Sequence, residues 1–254
     1  MSIQAVNKNI DPCVATIEYI ALVMDGLSGG GAIPGLTINP FTGGYSFNFL
    51  PGPQTYDFRF DGGQNALTST PRAPYVGVGT CTFTQNDAGS QVNAFYSAFN
   101  DPTARVTSFN DFNWDVVSSV SGDFYRVMNR GIIGFTTPAG GEPPHSWTLD
   151  FDFTTLAAGH LERGTFFALS DFDGMATGNE TCIVTRVGGI AGEWLTYQDE
   201  WNIAMPHGEA TYNSGLDQYE FIGIPATANG AIVYKTTQNL DRLIFDITNT
   251  SGGS

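Results

Sequence analysis

Apolar and polar side chains alternate along most of this chain. In residues 55–63, "TYDFRFDGG", Tyr56, Phe58 and Phe60 share one parity while Asp57, Arg59 and Asp61 share the other. Residues 146–155, "SWTLDFDFTT", repeat the arrangement, with Trp147, Leu149, Phe151 and Phe153 opposite Asp150 and Asp152. Successive side chains of a strand point to opposite faces, so this period of two predicts strands with one buried and one wet face. "GTCTFTQ", "FYRVMNRGIIGF", "ETCIVTRV", "QYEFIGI", "AIVYKTT" and "RLIFDIT" are further strand candidates, rich in β-branched and aromatic residues.

Gly and Pro clusters punctuate these runs: "GLSGGGAIPG", "FLPGPQ", "PAGGEPP" and "PATANG". One segment follows a different period. In "GSQVNAFYSAFNDP", Val92, Phe95, Tyr96 and Phe99 fall at helical spacing, Ser90 is placed to cap and Pro102 to stop. The expectation is an all-β chain, an antiparallel β-sandwich or jelly roll with one short helix over 92–100. Residues 1–254 are read as one domain, with a soft division near 143 where the glycine-rich loops give way to a cleaner meander.

Composition narrows the partners. The 254 residues carry 25 Asp and Glu against 10 Lys and Arg, a net charge of −15. Such a field repels phosphate backbones and anionic lipid, so neither nucleic acid nor a membrane surface is an expected partner; divalent cations suit it. No apolar run approaches the length of a membrane span, so no membrane insertion is expected. Residues 1–9 lack a basic start followed by an apolar core. An export signal was either removed before this sequence begins or never present. The three cysteines, Cys13, Cys81 and Cys182, allow one internal disulfide at most and match no zinc spacing; Cys81 and Cys182 sit in strand-like runs as small buried apolar groups.

Four stretches carry candidate chemistry. "GLSGG", residues 26–30, fits the Gly-x-Ser-x-Gly pattern around a nucleophilic serine, but two further glycines and Pro34 follow where that motif needs a helix. It reads as a surface loop, and no catalytic residue is assigned. Asp150 and Asp152 share a strand face about 7 Å apart, compatible with an inverting glycosidase pair but also with a solvated face. The aromatic stretch 193–212 holds Trp194, Tyr197, Trp201 and Tyr212 among carboxylates and amides. Such rings can stack on sugars, or fill a core. In residues 166–186, "FFALSDFDGMATGNETCIVTR", Asp171, Asp173, Asn179 and Glu180 offer oxygen ligands for Ca2+, although Met175, Ala176 and Cys182 break the EF-hand spacing.

Residues 146–249 resemble the β-sandwich repertoire of exported bacterial proteins with a Pro-Glu-Pro C-terminal sorting tail. The resemblance rests on "FFALSDFDG", "ETCIVTR", "NGAIVYKTT" and "LDRLIFDIT" in that order. It implies an extracellular or cell-surface, non-enzymatic protein of a surface, matrix or filament. Self-association through edge strands or glycans is the expected partnership, a terminal segment such as "NIDPCVATIEYIALV" completing the sheet of a neighbour. The alternatives are a glycan-active lyase or hydrolase on a jelly roll and a phage fibre or decoration protein.

Overall fold

The computed structural model describes residues 2–11, 14–30, 37–38, 45–62, 77–86, 93–98, 132–136, 145–170, 180–197, 210–222 and 231–249. These residues form sixteen strands and no helix. In chain order they are β1 (Ser2–Asp11), β2 (Val14–Leu27), β3 (Thr37–Ile38), β4 (Tyr45–Asn48), β5 (Gln54–Gly62), β6 (Gly79–Gln85), β7 (Asn93–Ala98) and β8 (Ile132–Thr136). The second half holds β9 (His145–Asp152), β10 (Thr165–Ser170), β11 (Glu180–Val187), β12 (Leu195–Tyr197), β13 (Thr211–Asn213), β14 (Gln218–Ile222), β15 (Ala231–Thr236) and β16 (Arg242–Asn249).

All the pairings are antiparallel, and they meet at β1. One arm runs β2-β5-β6-β9-β16-β11-β14-β13, a second β8-β7-β4-β3, and a third β10-β15-β12. One edge of β1 pairs with β10, from Ser2↔Ser170 to Asn7↔Thr165. Its other edge is shared: Ser2 and Ile3 pair with β8, and Val6 to Asp11 with β2. Rings of the second and third arms reach the first. Phe47 of β4 stacks on Tyr56 of β5 at 5.6 Å. Tyr234 of β15 meets Phe221 of β14 edge-on at 5.1 Å.

The parity read from the sequence sets the core. Tyr56, Phe58 and Phe60 are buried, as are Trp147, Leu149, Phe151 and Phe153. Phe58 lies 5.6 Å from each of Phe60, Phe151 and Phe153 in edge-to-face contacts, which match ring edges to π faces. Gly79 leaves room for that ring, since a Cβ there would stand 2.3 Å from Phe58 Cζ. Cys81 and Cys182 are free and buried; burial, reinforced by Asp150 and Asp246 respectively, pushes both thiols up and leaves them unreactive.

The helix expected over 92–100 is not formed. Asn93–Ala98 is instead strand β7, paired to β4 (Phe47↔Tyr96) and to β8 (Tyr96↔Ile133). The segment is rich in aromatics, which suit a strand as well as a helix. As a lone helix it would be too short to hold itself together in water. As a strand it satisfies both of its hydrogen-bonding edges and one edge each of β4 and β8. Tertiary pairing therefore overrides the helical spacing.

Candidate functional site

Three of the four aromatic residues singled out in the sequence come together at the ends of β11 to β15. Trp194 is fully buried and meets Tyr219 edge-on at 5.2 Å. Tyr212 packs on Tyr219 at 5.0 Å, and Tyr197 on Tyr234 at 5.4 Å. Tyr219 and Tyr234 link the group at 6.3 Å. Tyr197 and Tyr212 are half-buried, so they offer ring area to solvent; Trp194 offers none, because its ring is enclosed between Tyr219 and Arg186. Trp201 lies outside the described residues. The phenol tips are also engaged: the Tyr234 hydroxyl accepts from the Ala210 amide at 2.7 Å, and the Tyr219 hydroxyl donates to the Leu195 carbonyl at 3.2 Å.

At the centre of the cluster is a residue that the sequence reading missed. The side chain of Arg186 is only 1% exposed. A guanidinium carries five N–H donors, and a buried one must place them all. Nε donates to Asp217 Oδ2 at 3.1 Å, and one Nη2 hydrogen to the same oxygen at 2.7 Å. Nη1 donates to the Gly188 carbonyl at 3.1 Å and to Gln238 Oε1 at 2.9 Å. The second Nη2 hydrogen goes to the Ile190 carbonyl. The guanidinium carbon also stands 5.9 Å from the Trp194 ring centre, a cation–π contact. The readable signal is parity. Cys182, Val184 and Arg186 fall on one face of β11, and two of them are obvious core residues.

Asp217 answers the cation from a backbone with φ of 52°, a left-handed conformation that Asp tolerates better than most residues. Its other oxygen accepts from Tyr212 Oη at 2.7 Å. Partial burial alone raises a carboxyl, but the hydrogen bonds from Tyr212 and Arg186 and the guanidinium charge together hold Asp217 below its ordinary value. The same bond to Asp217 pushes the Tyr212 phenol up. Gly188 and Gly189 turn the chain over the guanidinium at φ of 83° and 82°, and a Cβ on Gly189 would lie 2.3 Å from Arg186 Nη1. Gly189→Ala is therefore expected to be destabilised by about 1–3 kcal/mol, read as a lower urea midpoint. An unchanged midpoint would show that the loop yields freely.

The carboxylates of the wet face have structural partners. Asp150 holds Arg242 through both oxygens, Nε to Oδ1 at 3.2 Å and Nη2 to Oδ2. Asp152 Oδ1 accepts from the Thr154 amide at 2.9 Å and from its hydroxyl, closing the turn after β9. The serine of "GLSGG" is exposed in a turn; its hydroxyl donates to Asp57 and its amide to the Thr55 carbonyl at 2.9 Å. A carboxylate, not an imidazole, faces this serine.

Of the oxygen ligands proposed for Ca2+, Asp171, Asp173 and Asn179 lie outside the described residues, and Glu180 opens β11. Among the described residues no group of three or more His, Cys, Asp or Glu is arranged to hold a metal ion.

No family model matches the chain. Over 146 residues it is 29% identical to a transcription activator of gluconeogenesis from Coccidioides posadasii. The match covers 58% of this chain and 19% of that protein, so the chain spans about a fifth of the length of the curated relative it matches. This similarity overturns the expected extracellular or cell-surface location: the protein it points to is a transcription activator rather than a surface protein.

Proposed function

We propose that the chain is a non-enzymatic β-sandwich that builds or binds, a self-associating subunit of a matrix or filament. The first arm forms one layer of the sandwich, and the second and third arms form the layer facing it. The observation that carries this reading is the commitment of the groups with candidate chemistry. Asp150, Asp152, Ser28, Arg186 and Asp217 each hold a structural partner. A general acid or nucleophile must instead reach a substrate with a matched base beside it.

The test is turnover. Polysaccharide and ester substrates should be left intact, and a serine-reactive probe should not label Ser28. Cleavage that disappears in Asp150→Asn or Ser28→Ala would replace this reading with an enzymatic one. Glycan contact falls to the half-buried rings of Tyr197 and Tyr212; retention on a polysaccharide matrix that Tyr212→Ala abolishes would support it. Calcium stabilisation is a further part of the proposal, resting on the oxygen-bearing side chains between 171 and 180. At about 100 Kd an ion adds roughly 2.7 kcal/mol, a rise on the order of 5–10 °C in melting temperature. Equal melting in calcium and in chelator would remove it.

The similarity to a transcription activator favours a second reading, an all-β protein-contact module in a larger regulator. With a net charge of −15 the module would act through protein partners rather than by gripping DNA. Tethered to an unrelated DNA-binding domain, it should then raise reporter output; a silent fusion would leave the first reading alone.

A further inference from the structure

We infer that copies of this chain join by exchanging β1, the strand of one copy taking the place of β1 in the next. The inference deepens the self-association reading by naming the segment and the groove that receives it. Among the described residues, β1 is the sole strand that hydrogen-bonds to all three arms. Without it the network separates into β2 with its neighbours, β8 with its neighbours, and β10 with β15 and β12. The space between β10 on one side and β8 and β2 on the other is then a slot with unpaired donors and acceptors on both walls. A peptide amide left unpaired in such a slot is unfavourable, so the slot must be filled. The segment that fits it best is Ser2–Asp11, and every copy of the chain carries one.

Two observations favour filling it from a neighbour. The first is the link between β1 and β2. Asp11 pairs with Val14, so only Pro12 and Cys13 join the strands. Two-residue hairpin links take turns in which the first central residue has φ above zero, supplied by Asn, Asp or Gly. Proline is locked near −65°, so this sequence lacks the chemistry of a tight hairpin link. The ladder is also irregular beside it, with a register shift between Asn9 and Asp11. If the link opens, β1 and β2 extend away from each other, every β1 contact with β8 and β10 is remade on another copy, and the tight turn is no longer needed.

The second observation concerns the alternative route. Simple edge-to-edge pairing needs a long open edge, yet among the described residues the arms end in β13 with 3 residues, β12 with 3 and β3 with 2. Very short terminal strands are poor templates for another chain. Exchange of the ten-residue β1 presents a much longer ladder.

The test uses the full chain and the register Gln4↔Ala168. Residues directly opposite in an antiparallel pair have Cα atoms about 4.5–5.5 Å apart, within disulfide reach. Chains bearing Gln4→Cys and chains bearing Ala168→Cys are refolded together and oxidised, and cross-linked peptides are mapped by mass spectrometry. Light scattering on the unmodified protein reports self-association separately. Exchange predicts oligomers in light scattering and a Gln4–Ala168 cross-link between different chains. It also predicts that Pro12→Asn/Cys13→Gly, which supplies the missing turn, shifts the protein at least tenfold toward monomer. Oligomers without that cross-link, while the double variant Gln4→Cys/Ala168→Cys closes within one chain, would overturn exchange and leave self-association standing. A monomer at every concentration would overturn both.

Discussion

Phe58→Ala is expected to lower the stability of the fold by about 4–5 kcal/mol, the upper part of the range for removing a buried aromatic ring. The ring is fully enclosed, with Phe60, Phe151 and Phe153 at 5.6 Å on its flanks. Phe60 lies on β5, Phe151 on β9 and Phe153 just past the end of β9, and all three are buried, so they cannot collapse far into the void. The urea midpoint should fall while the slope of the transition stays the same. Gly79 makes the prediction sharper. Alone, Gly79→Ala places a methyl 2.3 Å from the ring and should be destabilising by about 1–3 kcal/mol through overpacking. In the Phe58→Ala background the same methyl enters the void. The double variant should therefore be more stable than Phe58→Ala, a reversal of sign that independent sites do not show. Additive losses would mean that Gly79 and Phe58 do not share this space.

Asp217→Ala is expected to cost about 3 kcal/mol, the lower end of the range for stranding a buried charge. The stranded group is Arg186, whose side chain is 1% exposed. The lower end applies because Asp217 is 38% exposed, so water can reach the vacated position. For a chain of this size that is a fall of about 6–12 °C in melting temperature. Asp217→Asn keeps an acceptor and tolerates the φ of 52°, and its loss should be smaller. Arg186→Met/Asp217→Ala should recover part of the loss by removing the unpaired charge. The sign of the pH dependence follows from the lowered carboxyl of Asp217. Its contribution is fully present above the unfolded value near 3.9 and is lost as pH falls through the lower folded value. Wild-type melting should thus drop more steeply below pH 4 than that of Asp217→Asn. Parallel acid profiles would show that the carboxylate adds nothing to the knot.

The strands with alternating parity were legible in the sequence, because burial on one face forces the pattern of Tyr56, Phe58 and Phe60 or of Trp147, Leu149 and Phe151. Asn93–Ala98 was not, since Phe and Tyr suit either a helix or a strand and only β4 and β8 decide between them. The meeting of three arms at β1 was equally hidden. Pairs such as Ser2↔Ser170 join distant parts of the chain, and local pattern carries no information about them. In the site, the gathering of Trp194, Tyr197 and Tyr212 followed from their nearness in sequence. The burial of Trp194 did not, because it depends on Arg186 and Tyr219 arriving from other strands. Arg186 itself was within reach: its parity with Cys182 and Val184 marks an inward cation, which demands a partner.

The position of β1 also sets a schedule for synthesis. β1 leaves the ribosome well before two of its partners, since it pairs with β8, which starts at Ile132, and with β10, which starts at Thr165. At about 5–20 residues per second, β1 and β2 wait on the order of ten seconds before those edges exist. Pairings of this sequence separation also place the fold among the slow ones, since loop closure must precede the contacts that reward it. During that interval β1 and the more apolar β2 are exposed without those partners, on a polysome where identical nascent segments lie close by. The yield of folded protein is then governed by a race between elongation and encounter. Slower translation or a richer supply of chaperones should change that yield without altering the stability of the finished molecule.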